Sequence, residues 1–394
     1  MRKILYISTL LVGFLPAAEM RTWTDVQGRK IQASLTNTTA DGVTLKLADG
    51  REVPYPLEKL SPEDRKYVEQ AKASLPQNLP GKEPDDISKK FNFTDPWPER
   101  VKFSEDPEIL TIEEKAEEKK FIYESANYRY VCDVRLSKTV VKGFAVLFEA
   151  THLYCRTLPL AINGGPKING KYQIILFENE SDYHAAGGPE GTAGVFIGGK
   201  GVVLVPLESL GVRKVGSGYM VDHDKDNSTI SHELTHQLTP DPYFNEGAMG
   251  WFTEGIAEYV GTTPYRSGAF SVRGNQKPIV DYVTGYGTKD HGGRALGTDI
   301  NMPPLKNFMF LSYAAFQERP QFSYGCGLLL TYYFLHLDGE GDGKRMKAFL
   351  KALHDGAEGQ KAVDVLLDGR TYEQLQEDVS KAWGRHGVKF TFSK

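Results

Sequence analysis

The sequence predicts an α+β protein with two domains, a small β barrel followed by a larger domain in which strands precede helices. Three observations support this fold class. The chain has 394 residues, too many for one ordinary domain. Short alternating segments broken by turns fill its first part, and helical periodicity dominates its last part. With 40% hydrophobic residues it can bury a core, which excludes a wholly disordered or fibrous protein.

The N-terminus has the pattern of a secretory signal. Arg2 and Lys3 precede an apolar run at residues 4–15, and the small residues Ala17 and Ala18 follow Pro16. A run of about twelve apolar residues is too short to span roughly 30 Å of hydrocarbon. We therefore expect residues 1–18 to be a cleaved signal peptide, no transmembrane span, and a secreted or periplasmic protein. An uncleaved anchor is the alternative, because Pro16 lies close to the expected cleavage site.

Charge and cysteine content narrow the function further. Lys and Arg number 47 against 51 Asp and Glu, a net charge of −4, so the chain lacks the overall basic balance of a nucleic-acid-binding protein. The three cysteines, Cys132, Cys155 and Cys326, allow at most one internal disulfide, and Cys132 and Cys155 are the pair closest in sequence. We conclude that disulfides do not organise this fold and that nucleic acid is not a partner.

Residues 19–74 are predicted to form the small β domain. Strand patterns occur at residues 22–24, 30–35, 43–47 and 51–55, with turns at Gly28 and at residues 49–50. Ser61 is placed to cap a helix that begins at Pro62, and Asp64 follows three residues later. The Trp-Thr-Asp sequence at residues 23–25 and the Leu-Ser-Pro-Glu-Asp sequence at residues 60–64 are its landmarks.

This segment resembles the SH3-like homology domain first described in a yeast endocytic adaptor. The resemblance covers roughly fifty residues and implies an SH3-like barrel. It also implies a peptide ligand, although the Asn-Pro-Phe peptide bound by the yeast protein does not transfer to a chain with a secretion signal. Trp23 is interpreted as a core aromatic in preference to a residue of a binding groove.

A proline-rich linker is predicted at residues 75–112. It contains six prolines separated by polar residues, namely Pro76, Pro80, Pro84, Pro96, Pro98 and Pro107. Such spacing favours a semi-extended connection between two domains. The charged run that follows, residues 113–120, is interpreted as a solvated helix end or linker tail.

Residues 113–394 are predicted to form the larger domain. Strand patterns occur at residues 121–134 and 172–177, and a hairpin at residues 194–205. A helix is expected at residues 137–157, and further helices at about 228–238, 250–260, 324–337, 344–354 and 372–383. We find no internal repeat.

The chemistry is indicated by His232-Glu233-Leu234-Thr235-His236. Residues four apart share one face of a helix, so His232 and His236 can direct both imidazoles at one ion, with Glu233 beside the remaining coordination position. A second helix carries Glu254 and Glu258, also four apart. A catalytic zinc ion takes three protein ligands and keeps a place for water, so Glu254 is the candidate third ligand. Glu258 is placed to accept the spare N–H of His232.

This arrangement resembles the gluzincin superfamily of zinc metallopeptidases. The His-Glu-x-x-His motif is followed, after seventeen intervening residues, by the Glu254 of a Trp-x-x-Glu-Gly-x-Ala-Glu-Tyr segment. It is more similar to secreted bacterial members than to thermolysin, and its gap is slightly shorter than in the best-known members. The resemblance implies a zincin-like fold, Zn²⁺ as cofactor, His232, His236 and Glu254 as ligands, Glu233 as general base and Glu258 as an outer carboxylate.

Two further assignments come from the same resemblance. The sequence Tyr324-Gly325-Cys326-Gly327 is similar to the Tyr-x-x-Gly helix start of the aminopeptidase N group, which implies Tyr324 as a catalytic oxyanion donor, with a packing role as the alternative. Tyr259 is the second choice and is expected to pack. Gluzincins bind the substrate main chain along an edge strand, which points to the hairpin at residues 194–205, although a buried sheet strand is the alternative.

We therefore expect an exported zinc metallopeptidase acting on a peptide or protein substrate. The alternative is a non-enzymatic surface-binding or scaffold protein with a structural zinc site and a peptide-binding SH3-like module. Structural zinc sites usually include cysteine, and no cysteine neighbours either ligand helix, which favours the enzyme. The sequence leaves open the substrate, the endo or exo preference and the ligand of the N-terminal module.

Overall fold

The computed structural model describes residues 20–38, 42–47, 52–72, 91–285 and 292–393. The chain separates into two units, residues 1–83 and residues 84–394. The predicted signal peptide lies outside the described residues. Within them, no helix combines the length and the apolar character needed to cross a membrane.

In its described residues, the first unit consists of a four-stranded antiparallel sheet, a short 3-10 helix at Leu57–Lys59 and one α-helix. Its strands follow one another in the order β1-β2-β3-β4, as the alternating sequence patterns predict. A bridge between Asp25 and Leu60 joins the residue after β1 to the segment after β4, so the two ends of the sheet approach each other. The elements are β1 (Arg21–Thr24), β2 (Lys30–Thr38), β3 (Gly42–Leu47), β4 (Glu52–Pro56) and α1 (Pro62–Lys72).

Trp23 lies in the core of this unit, as expected. It is 1% exposed, and its indole Nε1 donates to the backbone carbonyl of Ala33 at 2.9 Å. The predicted helix start is also confirmed, because the backbone N of Asp64 donates to Ser61 Oγ at 3.2 Å. The landmark residues of this segment thus build the fold itself.

The second unit is built on a six-stranded sheet in the order β10-β11-β9-β8-β7-β6. Strand β9 runs parallel to both of its neighbours, and the other pairings are antiparallel. The predicted hairpin is confirmed, and β10 forms an edge of the sheet. The strands are β6 (Leu110–Lys115), β7 (Lys120–Glu124), β8 (Tyr128–Cys132), β9 (Tyr172–Phe177), β10 (Val195–Ile197) and β11 (Val202–Pro206).

The predicted linker extends too far along the chain. Strand β5 (Arg100–Lys102) pairs with a strand at Ala269–Ser271, and β6 begins at Leu110, inside the predicted linker. The charged run is also not a helix end, because it forms the second half of β6 and the turn into β7. Its charges suit an edge strand, where they discourage pairing with other chains.

Among the described residues, two α-helices lie between strands of the six-stranded sheet along the chain, and the others follow it, with a few short strand pairs among them. The helices are α2 (Lys138–Thr157), α3 (Glu180–Ala185), α4 (Ser228–Leu238), α5 (Trp251–Thr262), α6 (Gln276–Thr284), α7 (Leu305–Met309), α8 (Tyr313–Gln317), α9 (Pro320–Tyr332), α10 (Lys344–His354), α11 (Gly359–Leu367) and α12 (Tyr372–Gly384). The remaining strands are β12 (Val212–Val215), β13 (Gly218–Val221), β14 (Tyr265–Arg266), β15 (Ala269–Ser271), β16 (Asp299–Met302) and β17 (Lys389–Phe392). Helix α9 continues into a π-helical turn at Tyr333–Leu337.

The predicted helices are present with small shifts at their ends, whereas the sequence patterns did not predict α3, α6, α7, α8 and α11 or the strands β12 to β17. Ser137 caps α2, accepting from the backbone N of Val140 at 3.3 Å. Cys132, Cys155 and Cys326 are buried and free, so the pair closest in sequence is not bridged.

Candidate metal centre

Helix α4 carries the two histidines on one buried face. His232 is 9% exposed and His236 is 8% exposed. Their Nε2 atoms lie 3.1 Å apart, as the spacing of four residues predicts. The two imidazoles therefore point at one position.

Helix α5 adds a carboxylate to the same position. Glu254 Oε2 lies 3.3 Å from His232 Nε2 and 3.2 Å from His236 Nε2. The three atoms form a nearly equilateral triangle, and these residues form a group that could hold a metal ion. A tetrahedral zinc ion about 2.0 Å from each ligand would separate the ligand atoms by about 3.3 Å. Both the donor set and its spacing fit zinc.

Glycine lets α5 come close enough to place Glu254. A Cβ atom on Gly261 would lie 2.8 Å from the carbonyl oxygen of Ser228 in α4. On the other side, a Cβ on Gly255 would lie 2.5 Å from the carbonyl oxygen of Gly327 in α9. Any side chain at these positions would push the helices apart, so the glycines fix the depth of the cluster.

Glu258 lies one turn beyond Glu254 and contacts the opposite nitrogen of His232. Its Oε1 lies 3.1 Å from His232 Nδ1. It also accepts two hydrogen bonds from Arg294, from Nη2 to Oε1 at 2.6 Å and from Nε to Oε2 at 3.1 Å. A proton on Nδ1 leaves Nε2 of His232 as the acceptor facing the cluster. Glu258 therefore occupies the outer position that the sequence predicts.

Glu233 extends from α4 toward the edge strand β10. Its Oε2 accepts from the backbone N of Phe196 at 2.8 Å. Unlike the two histidines, Glu233 is partly exposed. The general-base candidate thus lies between the ligand helix and the strand that the sequence predicts to bind the substrate.

The cluster perturbs the acidity of its own members. Burial disfavours a charged imidazole at His232, but the carboxylates of Glu254 and Glu258 outweigh burial and raise its pKa to about 10. Burial would raise the pKa of Glu254, yet the imidazoles of His236 and His232 hold it well below its usual range. Burial likewise opposes ionisation of Glu258, but His232 and Arg294 lower its pKa to about 2. In these residues, positive charge and carboxylate stabilise each other.

Two tyrosines lie beside the cluster. The Tyr324 ring stacks on His232, with ring centroids 6.1 Å apart and planes at 13°, and its hydroxyl accepts from Gln317 Nε2 at 2.9 Å. Tyr313 donates its hydroxyl to Glu254 Oε1 at 2.9 Å. Tyr259 is buried and contacts His336 Nε2 at 2.9 Å through its hydroxyl, which is the packing role expected for it.

Arg294 and Tyr313 join the cluster without any sequence signal. Arg294 follows two glycines and precedes no recognisable helix, and Tyr313 opens the short helix α8 after its cap Ser312. Neither lies at a fixed spacing from the His-Glu-x-x-His motif. Only the tertiary fold brings them to the ligand helices.

The family comparison concerns the first unit. No curated protein matches the chain. Residues 14–75 match the family model of SLA1 homology domain 1. The match spans the described sheet and α1, and this domain type suggests a protein-interaction module. The chain therefore carries an SH3-like domain of the SLA1 homology type ahead of its α+β unit.

Proposed function

We propose that the protein is an exported zinc metallopeptidase of the gluzincin type that hydrolyses peptide bonds. The convergence of His232 Nε2, His236 Nε2 and Glu254 Oε2 within 3.1–3.3 Å of one another carries the proposal. These residues would hold the ion. Bound zinc supplies Lewis acidity that polarises a carbonyl and lowers the pKa of water from about 15.7 toward 7.

Glu233 moves the proton in this proposal. Its carboxylate takes a proton from the attacking water and delivers it to the leaving amine, so no covalent intermediate with the protein is needed. The hydrogen bond from Phe196 N to Oε2, at 2.8 Å, fixes one carboxylate oxygen and orients the other. Glu258 contributes by holding the proton on Nδ1 of His232.

The edge strand β10 would bind the substrate main chain. It pairs with β11 along one side only, and all three of its residues are partly exposed. An extended peptide can add to such an edge by main-chain hydrogen bonds. Because Phe196 N already donates to Glu233, a substrate added here would lie directly beside the general base.

Tyr324 is the proposed donor to the oxyanion that develops on the scissile carbonyl. Its hydroxyl accepts from Gln317 Nε2 and also interacts with the hydroxyl of Tyr313, so its proton would turn to the oxyanion as that charge develops. Tyr313 differs, because its proton is already donated to Glu254 Oε1.

The alternative function is a non-enzymatic scaffold with a structural zinc site, and the residues of the candidate site disfavour it. Structural zinc sites fill four positions with protein ligands, usually including cysteine. In the described part of the chain, the candidate group has three members and no cysteine. For the N-terminal module we propose a peptide ligand, and the predicted signal peptide supports a secreted or periplasmic location.

A digest of casein and of a peptide library tests the proposal. The full-length protein should cleave when loaded with zinc, lose cleavage on chelation and regain it when zinc is restored. Glu233→Gln, loaded in the same way, is the control for contaminating proteases. Zinc binding without chelator-sensitive cleavage would reject the peptidase and favour the scaffold.

A further inference from the structure

Arg294 makes a fork-shaped contact with Glu258. Its Nη2 donates to Oε1 at 2.6 Å and its Nε donates to Oε2 at 3.1 Å, so both carboxylate oxygens are held. The side chains are 17% and 4% exposed, respectively. A bidentate arginine–carboxylate pair with little solvent fixes orientation as well as charge.

The carboxylate held by Arg294 is the one that contacts His232. Glu258 Oε1, which accepts from Arg294, also lies 3.1 Å from His232 Nδ1. Rotation of this carboxylate would break the contact with Nδ1 and free the ring to turn or to change tautomer. The direction of His232 Nε2, the candidate ligand atom, therefore depends on Arg294 through Glu258.

Arg294 also contacts the ring that stacks on His232. Its Cζ lies 4.8 Å from the centroid of Tyr324 and 5.5 Å from that of Tyr282. Tyr324 in turn stacks on the imidazole of His232. One guanidinium thus touches two different neighbours of the same imidazole, a carboxylate at its edge and an aromatic ring at its face.

Charge balance gives Arg294 a second task. Three glutamates, Glu233, Glu254 and Glu258, surround the two histidines, and a divalent ion offsets two carboxylate charges. Among the described residues, Arg294 is the arginine or lysine that pairs with one of these carboxylates. A buried carboxylate left without a partner is costly, so Arg294 offsets the third charge.

We infer that Arg294 is a positioning residue of the metal centre, which acts through Glu258 to orient His232 and thereby sets the affinity for zinc. This inference rests on the proposed function for the existence of the zinc site. It adds a residue on a separate loop, outside both ligand helices, that the site needs in order to bind metal tightly.

The test measures zinc affinity of the full-length protein by competition with a chromophoric chelator. Arg294→Met should raise the dissociation constant for zinc about 10–100-fold, the usual cost of losing an outer hydrogen-bond partner. Arg294→Lys should fall between Arg294→Met and the parent protein, because lysine restores the charge without the fork. At saturating zinc, kcat should change much less than the dissociation constant.

Two comparisons separate positioning from general stability. Arg345→Met removes another arginine from a buried carboxylate, Asp338, at 2.9 Å, and should reduce thermal stability without changing zinc affinity. In a Glu258→Gln background the effect of Arg294→Met on zinc affinity should shrink, since the two residues act in series. The Arg294→Lys variant keeps the test decisive if Arg294→Met does not fold.

Zinc affinity within about twofold of the parent in both Arg294→Met and Arg294→Lys would overturn the inference. It would also be overturned if Arg294→Met reduced zinc affinity as much in the Glu258→Gln background as in the parent protein. Failure of the proposed function gives a different result. A parent protein that binds zinc but cleaves nothing rejects the peptidase while the affinities still decide the role of Arg294. A parent protein that binds no zinc overturns both.

Discussion

Both units of this protein bury carboxylates beside helices, but the carboxylates contact different kinds of group. In the N-terminal domain, Asp64 accepts from the backbone N of Thr24 at 2.7 Å and pairs with Arg21 at 2.6 Å. In the second unit, Glu254 Oε2 faces two imidazole nitrogens of another helix at 3.2 and 3.3 Å. The first arrangement satisfies donors of the fold, whereas the second gathers ligand atoms around one point.

The difference separates residues that stabilise a fold from residues that bind an ion. When Glu258 holds the proton of a neutral His232 on Nδ1, the Nε2 atom that faces Glu254 is a hydrogen-bond acceptor. The ionised carboxylate of Glu254 is also an acceptor. Acceptors about 3 Å apart repel one another unless a cation or proton lies among them. The carboxylate of Asp64 is thus satisfied by donors of its own domain, whereas the converging atoms of the second unit need a proton or a metal cation among them.

The largest expected effect is the loss of zinc on removal of a ligand. His236→Ala should weaken zinc binding by more than the roughly 10–100-fold that an outer partner costs, and hydrolysis should disappear with the metal. Metal content after dialysis and the peptide digest measure both effects. Replacing the exposed His223 by alanine is the matched control, and zinc retention by His236→Ala would contradict the ligand assignment.

The next largest effect separates chemistry from metal binding. Glu233→Gln should keep zinc but lose about 10²–10⁴-fold in kcat, because an amide cannot accept the proton of the attacking water. Glu208→Gln, an exposed glutamate, serves as the control. Undiminished turnover by a zinc-loaded Glu233→Gln protein would remove Glu233 from the general-base role.

The two tyrosines beside the cluster should respond differently. Tyr324→Phe should lower kcat about 10²-fold with unchanged KM and zinc content, since only a developing oxyanion needs its hydroxyl. Tyr313→Phe removes the donor to Glu254 Oε1. It should raise the dissociation constant for zinc by a larger factor than it lowers kcat. Steady-state kinetics and a zinc titration distinguish the two, and a normal kcat in Tyr324→Phe would leave that residue with packing alone.

The matching change in the N-terminal domain should affect stability alone. Asp64→Ala leaves the Thr24 N–H and Arg21 without their partner and should destabilise this domain by about 1–3 kcal/mol. Hydrogen exchange of the amides in β1 and β2 of the full chain measures the effect. Glu63→Ala, an exposed neighbour, is the control, and loss of zinc or hydrolysis in Asp64→Ala would break the contrast between the two units.

His152, a buried histidine outside the cluster, differs from His232 in the direction of its pKa shift, and this difference predicts how stability depends on pH. Burial lowers the pKa of His152 to about 4, whereas the carboxylates raise that of His232. The unfolded state therefore binds the extra proton of His152 between about pH 6.5 and 4, so stability falls as the pH drops through this window. Urea unfolding at pH 7 and 4.5 should show a loss on the order of 2 kcal/mol from this group. The same loss in His152→Phe would assign the acid sensitivity to other groups.

Local features of the fold and site could be predicted from sequence because their causes are local. The cap Ser61, and the spacing of His232 and His236 along α4, depend on residues a few positions apart. Strand β5 could not be predicted from the sequence, because its partner β15 lies far along the chain and its flanking prolines are typical of a linker. Arg294 and Tyr313 were missed for the same reason, as long-range packing alone brings them to Glu258 and Glu254.

X-ray absorption at the zinc edge, on protein equilibrated with zinc and dialysed, tests the central claim most directly. We predict one tightly held zinc per chain, with nitrogen and oxygen ligands at about 2.0 Å and an imidazole signature from His232 and His236. Glu254→Gln should weaken this site or change its ligand shell. A sulfur ligand at about 2.3 Å, or a parent protein that retains no zinc, would contradict the account.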